Sequence, residues 1–247
     1  MRSNNHRLAA IIAALLFAAP MSTVFAAEGG WDWQIGPVLW APSLSTSLKL
    51  DVPPVETGGT TQFSDVVSKL NFALPLHLEG QGDEWGVLAD IQYLSLSQKR
   101  TRDNFTTDTD QKVGVFELAG VWSPGETRYE GFEAFAGLRY LWGNVDVKIT
   151  PLGAGAVLPT LDAGVDKSFT DFMLGGRYTT KLSDRWSLTL RGDGSWGGTD
   201  GIYVASAMFG YGNWQFGYKY QKQKFGAADK SLDIDMYGPV LAYMFRF

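Results

Sequence analysis

The chain has 247 residues, no cysteine, 14% aromatic residues and a formal net charge of −5. Without cysteine, disulfides cannot stabilise it, and its acidic balance argues against nucleic acid as a partner. Beyond the N-terminal region, no stretch reaches the 18 or so uninterrupted apolar residues expected of a transmembrane helix. The 29 glycines and a mean hydropathy of −0.08 are typical of a barrel whose strands are half apolar and half polar.

The N-terminus has the pattern of a cleavable secretory signal. Arg2 and Arg7 precede the apolar run 8–19, and small residues follow at Ala26 and Ala27. The run is too short to cross a membrane, which needs about 20 apolar residues. We therefore expect export by the Sec pathway, removal of residues 1–27, and one transmembrane barrel domain over 28–247. Loss of the two arginines leaves 19 basic and 26 acidic residues, a net charge of −7, with His77 as the last histidine.

Apolar and polar residues alternate strictly along the rest of the chain. Between Trp186 and Trp196, for example, Trp186, Leu188 and Leu190 alternate with polar residues. Period two is the signature of β-strands. Ten such segments are predicted, at 31–49, 71–80, 84–98, 111–122, 130–149, 167–181, 185–197, 202–211, 214–224 and 232–247. The predicted fold class is all-β: a closed antiparallel transmembrane β-barrel of about ten strands, with eight as the alternative.

The connections between these segments alternate in length. Short polar turns are predicted at 81–83, 123–128, 183–184 and 212–213, and long loops at 51–70, 99–110 and 150–166. Short turns on one side and long loops on the other are the layout of an outer-membrane barrel with both termini in the periplasm. We expect the outer membrane as the location and a monomer as the state.

Aromatic residues are placed at the ends of the predicted strands. Seven are expected beside short turns (Trp85, Trp122, Tyr129, Trp186, Tyr211, Trp214, Phe247) and four towards the long loops (Trp142, Trp196, Tyr203, Tyr220). Two aromatic belts are what the interfaces of a bilayer select, so lipid and lipopolysaccharide are the expected surroundings.

The final strand carries Leu241, Tyr243, Phe245 and the terminal Phe247 on one face. This pattern looks like the signal by which the barrel-assembly machinery recognises outer-membrane barrels.

Several short motifs carry a family resemblance. They are Leu39 to Leu44 (LWAPSL), Phe63 to Val67 (FSDVV), Leu70 to Leu74 (LNFAL), Trp85 to Leu94, Gly137 to Tyr140, Gly176 to Tyr178, Asp193-Gly194, Gly217 to Tyr220 and Gly238-Pro239. With these motifs the chain resembles a family of Gram-negative outer-membrane barrel proteins, OmpA- and OmpW-like in general architecture. Lys219 stands where family members often carry arginine. The resemblance implies the fold and the location, and no activity.

The face opposite the aromatic residues is predicted to line the lumen. The expected inward residues are His77, Glu79, Asp90, Gln92, Glu117, Glu133, Arg139, Arg177, Arg191, Asp193, Gln215 and Lys219. One interpretation is an interlocked network of ion pairs that replaces an apolar core, since buried charges must be paired. The other is a narrow polar path or binding cavity for small solutes.

The segment with Phe63, Val66, Val67 and Leu70 has helical spacing within the longest loop. Its apolar face is expected either to plug the extracellular mouth or to lie on the rim.

An outer-membrane hydrolase of lipid, lipopolysaccharide or peptide is the alternative function. In such an enzyme His77 would have to act as the general base, but it lies in the middle of a predicted strand. The sequence contains no Gly-x-Ser-x-Gly motif. The carboxylates Asp108 with Asp110, and Asp233 with Asp235, fit either weak calcium sites or a solvated acidic rim. No catalytic residue, metal or cofactor is therefore assigned.

Overall fold

A computed structural model describes residues 30–51, 54–102, 105–125, 127–152, 160–227 and 230–247. The predicted signal segment, 1–27, lies outside the described residues. No helix within the described ranges is long and apolar enough to span a membrane.

The described residues form thirteen strands and one short helix. In chain order they are β1 (Asp32–Trp40), β2 (Ser43–Asp51), β3 (Pro54–Thr61), α1 (Phe63–Val67), β4 (Leu70–Gln81), β5 (Trp85–Arg102), β6 (Phe105–Trp122), β7 (Gly131–Pro151), β8 (Leu161–Lys181), β9 (Trp186–Gly197), β10 (Gly201–Tyr211), β11 (Trp214–Ala227), β12 (Lys230–Tyr243) and β13 (Phe245–Arg246).

The sheet closes on itself through its first and last strands. β1 pairs with β4 on one side and with β12 and β13 on the other, and all pairings are antiparallel. At the junction Trp33 and Phe247 exchange two backbone hydrogen bonds, of 2.9 and 3.0 Å. Counting β1 with β2, β3 with β4, and β12 with β13 as single barrel strands, the described residues form a closed ten-stranded antiparallel barrel of the transmembrane type. The predicted fold class and the count of ten are confirmed.

The alternation in the sequence separates an outer from an inner face. On β7, Leu138 is 54% exposed on the outside, whereas the next residue, Arg139, is 1% exposed and points into the lumen. Phe172 and Asp171 on β8 repeat the contrast, at 54% and 0%. A closed sheet leaves no free edge except where pairing stops, so its backbone polar groups are satisfied without water.

The lumen also contains buried apolar side chains, whereas the sequence analysis predicted only polar and charged residues there. One buried cluster comprises Leu88, Ala119, Val121, Phe135 and Met173. A second comprises Leu141, Ile202 and Val204, with Val115 and Phe169 packed against it. The interior therefore combines charged and apolar layers.

The prediction of long irregular loops is wrong for most of their length. β5 and β6 remain paired up to Arg102 and Phe105, so most of 99–110 is strand. β7 and β8 pair as far as Ile149 and Leu161, within the expected loop 150–166. The region 51–70 contains β3 and α1. Threonine-rich segments that alternate with charged residues form exposed hairpins as readily as loops, because threonine favours strands.

The short turns all lie at the end of the barrel that also holds both described termini. The connection between β10 and β11 has only two residues, Gly212 and Asn213, and Gly212 adopts a φ of 58°. A two-residue hairpin turn of this kind needs a positive φ, which glycine adopts without strain.

Candidate functional site

The lumen charges form two layers, and the layer nearer the short turns is built around Arg177. This guanidinium contacts both carboxylate oxygens of Glu79, with Nη1 2.9 Å from Oε2, and its Nε donates to Glu133. Glu79 and Glu133 are fully buried. Arg177 and Glu133 face each other on paired strands, whereas Glu79 lies on β4. The Arg177 guanidinium therefore links side chains across the bore. Bidentate contacts of this kind are the strongest ion pairs that proteins make.

Amide side chains complete the hydrogen bonding of these carboxylates. Gln34 Nε2 donates to Glu79 Oε2 at 3.0 Å, and Gln81 donates to both Glu79 and Glu133. Both glutamines are buried, on β1 and β4. The layer thus satisfies its buried oxygens, as a low-dielectric interior requires.

His77 joins the two layers. Its Nδ1 lies 2.8 Å from Asp90 Oδ1, and its Nε2 lies 3.2 Å from Glu79 Oε2. Within the described residues no hydroxyl lies at hydrogen-bond distance from either ring nitrogen. The ring therefore links carboxylates rather than presenting a free nitrogen to a nucleophile.

The second layer is centred on Arg139. Its Nε donates to Glu117 Oε1 at 2.8 Å, its Nη2 to Asp193 Oδ1 at 2.6 Å, and its Nη1 to Ser195 Oγ at 3.0 Å. These partners lie on β6 and β9, on either side of β7 and β8. Arg139 is 1% exposed, so all of these contacts are made out of reach of bulk water.

Arg191 adds a second cation to the same carboxylates. It donates to Asp193 Oδ2 at 2.8 Å and to Glu117 Oε2 at 3.2 Å, and its guanidinium lies 4.8 Å from the centre of the Phe135 ring. Asp90 is 3.9 Å away. Two arginines and two carboxylates thus form a closed ring of ion pairs across the bore.

Lys219 differs from the arginines. It makes no ion pair within 4 Å among the described residues; its ammonium lies 4.5 Å from the centre of the Trp40 ring. Gln92 and Gln215, the remaining predicted inward residues, line the same cavity as Lys219. The structure therefore places all twelve predicted residues inside the barrel.

The sequence analysis did not single out Asp171. This carboxylate is fully buried and accepts hydrogen bonds from the Thr199 amide, the Thr199 hydroxyl and the Ser195 hydroxyl. It fixes the connection between β9 and β10 and extends the network away from the short turns. Asp171 could have been predicted as an inward residue, because it lies six positions before Arg177 on β8 and residues an even number apart on a strand share a face.

A cavity of about 380 Å³ extends from the short-turn end to the ion-pair network. One wall is charged, with Glu79, Asp90, Glu117, Arg177 and Arg191. The other wall is largely apolar, with Val38, Val204, Met208, Val240, Ala242 and Met244. Its size falls within the range of small-molecule sites, about 300–1,000 Å³.

Tyr129 lies at the mouth of this cavity rather than in a lipid-facing belt, which corrects the expectation. It has a φ of 59°, its amide donates to Gln81 Oε1 at 2.7 Å, and its hydroxyl donates to the Asp32 carbonyl at 2.5 Å. Burial, together with the carboxylates of Glu79 and Asp32, raises the pKa of the Tyr129 phenol. The hydroxyl therefore remains a donor and ties the turn to β1.

The predicted helix is present as α1, at the end of the barrel opposite the short turns. Phe63 is exposed, and Val66, Val67 and Leu70 are half-buried. Val66 lines a second cavity of about 230 Å³, together with Leu44 and Leu96. This cavity shares no lining residue with the first. Plug and rim remain alternative interpretations of α1.

Three of the four carboxylates considered for calcium lie within 4 Å of a lysine. Asp108 lies 3.6 Å from Lys99, whereas Asp233 and Asp235 lie 3.3 and 3.6 Å from Lys222. These are partly exposed ion pairs between neighbouring strands.

The proposed assembly residues Leu241, Tyr243, Phe245 and Phe247 lie on the outer face. The Tyr243 ring contacts Phe245 and Trp214, with centroids 4.9 and 4.8 Å apart.

No protein-family model matches the chain, and no curated protein sequence matches it either. Among solved structures it is similar to Ail, the attachment invasion locus protein of Yersinia pestis, at 11% identity over 86% of this chain and 97% of that one, with a TM-score of 0.36. The translocator domain of the autotransporter NalP from Neisseria meningitidis shows 14% identity over 98% and 94% of the chains, with a TM-score of 0.41. The outer-membrane protease OmpT from Escherichia coli shows 10% identity over 91% and 99%, with a TM-score of 0.40. At these scores the likenesses assign no role to this chain.

Proposed function

We propose that this protein is an integral outer-membrane barrel whose lumen is plugged by an ion-pair network and whose periplasmic side offers a cavity for small solutes. The primary role is structural, with solute binding at the cavity. Through-passage of ions requires the network to open.

The membrane location is supported by the outer surface. Large apolar side chains are exposed all around the barrel, among them Leu118, Leu138, Phe172, Leu174 and Phe216. A soluble protein rarely exposes a continuous apolar surface of this extent, whereas hydrocarbon requires it. The signal pattern at 1–27 and the alternating C-terminal strand fit export to the outer membrane.

The proposal that the lumen is plugged rests on one observation. Arg139 and Arg177 each form ion pairs with two carboxylates from different strands, deep in the bore. A ten-stranded barrel is narrow enough for side chains to fill its interior. Removal of one partner from a buried pair leaves an uncompensated charge, so the network resists opening.

A hydrolase has less support. His77 has carboxylates at both ring nitrogens, so a His77-dependent mechanism lacks the free base that it needs. If lipid, lipopolysaccharide or peptide were hydrolysed in detergent and His77→Ala abolished this turnover, the protein would be an enzyme and the proposed role would be wrong.

Conductance in planar bilayers tests the plug. We expect no steady steps from the native protein, and small steps from the double variant Glu117→Ala/Arg139→Ala, which removes the central pair. The matched control is Lys99→Ala/Asp108→Ala, which removes an exposed pair. Steady steps from the native protein would show that the lumen is an open pore.

A further inference from the structure

Three neighbouring strands place a hydroxyl between two cations on the wall of the cavity. Arg191 on β9 and Lys219 on β11 are both directly opposite Ser206 on β10, and all three side chains line the cavity. Side chains directly opposite each other on paired strands have Cβ atoms about 5 Å apart. The two cations can therefore reach a single group that lies over the hydroxyl. We call these three residues the cradle.

Each member of the cradle has a donor that the ion-pair network does not use. Arg191 donates to the network through Nε and Nη2, whereas its Nη1 makes no hydrogen bond within the described ranges and lies 3.9 Å from Asp90 Oδ2. The half-buried Ser206 has no side-chain hydrogen bond in the described part of the chain. The Lys219 ammonium lies 4.5 Å from the centre of the Trp40 ring, which attracts the cation without neutralising its charge.

The charges around the cavity favour an anion. Seven arginines and lysines line it, against five carboxylates. The part of the wall formed by β10 to β13 contributes Lys219 and Arg246, and no carboxylate among its described lining residues. A cleft with an excess of one charge raises the local concentration of solutes with the opposite charge.

Apolar side chains border the cradle. Val204 and Met208 lie two residues before and after Ser206 on β10, and residues two apart on a strand share a face. Val240 lies two residues beyond the position on β12 that is opposite Lys219. All three apolar side chains line the cavity. A molecule whose polar group lies in the cradle would therefore have an apolar surface beside it, as small-molecule sites commonly provide.

We propose that the cradle binds the carboxylate of small organic acids that carry an apolar group and enter from the periplasm. The carboxylate accepts hydrogen bonds from Arg191, Ser206 and Lys219, and the apolar group packs against Val204 and Met208. Entry from the periplasm follows from the position of the cavity, which extends from the short-turn end. The inference rests on the proposed cavity for small solutes, and it names their chemical class and the residues that bind them.

One negative charge matches the cradle better than two. The three lumen arginines each contact two or more carboxylates, whereas Lys219 has none within 4 Å among the described residues. A dianion would bring a second negative charge close to Asp90 and Glu117, which line the same cavity. Like charges repel strongly where water is scarce. We therefore expect monocarboxylates to bind more tightly than dianions with the same apolar group.

The test uses three fluorinated probes that share an aromatic ring and differ in charge. At about pH 8, para-fluorobenzoate carries one negative charge, para-fluorobenzamide none and para-fluorophenyl phosphate two. Line broadening in fluorine NMR measures their binding to the full barrel in phosphatidylcholine nanodiscs, and empty nanodiscs correct for partition into lipid. We expect the benzoate to bind most tightly and each of the others about tenfold more weakly. The amide lacks the charge-assisted contacts, and the phosphate adds a repelled charge.

Substitutions test whether the cradle is the site. Lys219→Met should weaken binding of the benzoate about tenfold and leave that of the benzamide unchanged, and Ser206→Ala should weaken the benzoate several-fold. Lys219→Arg keeps the charge and should retain most of the affinity. The matched control is Lys224→Met, on the outer face of the same strand, which should bind like the native protein. Heat-dependent gel mobility verifies that each variant is folded.

The outcomes separate this inference from the proposed function. Equal affinity for the benzoate and the benzamide would mean that the cavity takes neutral solutes. Equal affinity of the native protein and Lys219→Met for the benzoate would place the carboxylate elsewhere. Either result would overturn the cradle and leave solute binding intact, and tighter binding of the phosphate would overturn the ligand class. If none of the probes bound the native barrel, the proposed solute binding itself would be wrong.

Discussion

Glu117 and Arg139 are directly paired on β6 and β7, and their side chains meet at 2.8 Å with the arginine 1% exposed. The same arginine reaches Asp193 two strands further on. One side chain thereby connects three strands through the interior. Contacts of this kind take the place that an apolar core has in a soluble protein, and they make the barrel sensitive to single substitutions inside it.

Arg139→Met is therefore expected to destabilise the barrel strongly. The substitution leaves Glu117 and Asp193 with one fewer buried cation, and breaking a buried pair costs about 3–5 kcal/mol. Urea unfolding in lipid vesicles, followed by tryptophan fluorescence, measures the change. Arg100→Met, at an exposed position of β5, is the control. Equal stability of the two variants would mean that the network contributes nothing to folding.

The close approach of the β6 and β7 backbones leads to a second prediction. A Cβ added at Gly137 would lie 2.0 Å from the Leu118 carbonyl oxygen, whereas at Gly120 nothing lies within 4 Å. Gly137→Ala should therefore lower stability by about 1–3 kcal/mol, the usual range for overpacking, and Gly120→Ala should have little effect. The same urea experiment compares them, and a reversed order would contradict the packing of β6 against β7.

The sequence predicted the strands and the inward residues because both depend on a local period of two. His77 and Asp90 could be assigned to the lumen by parity alone, without knowledge of their contact. The partners were not predictable: which acid meets Arg177 depends on register and on distance across the bore, and Glu79 is 98 residues away.

Tyr129 gives a prediction for pH. Burial and the nearby carboxylates raise its pKa in the folded protein, so its contribution to stability is complete below the ordinary tyrosine pKa of about 10 and declines above it. Tyr129→Phe, which removes the hydrogen bond to Asp32, should cost about 0.5–1.5 kcal/mol at pH 8. This difference between native and variant should be smaller at about pH 11. A difference that grows with pH would contradict the sign of the shift.

Phe247 combines two roles that substitution can separate. Its backbone exchanges two hydrogen bonds with Trp33 and closes the barrel, whereas its ring ends the alternating strand that we propose the assembly machinery recognises. Phe247→Ala keeps the backbone bonds and removes the ring; deletion of Phe247 removes both. We expect both changes to reduce the assembled fraction in cells several-fold. Refolding of purified protein into vesicles should be impaired by the deletion alone. If Phe247→Ala assembled normally in cells, the ring would not be part of the signal, and only the backbone contacts of Phe247 with Trp33 would contribute to assembly.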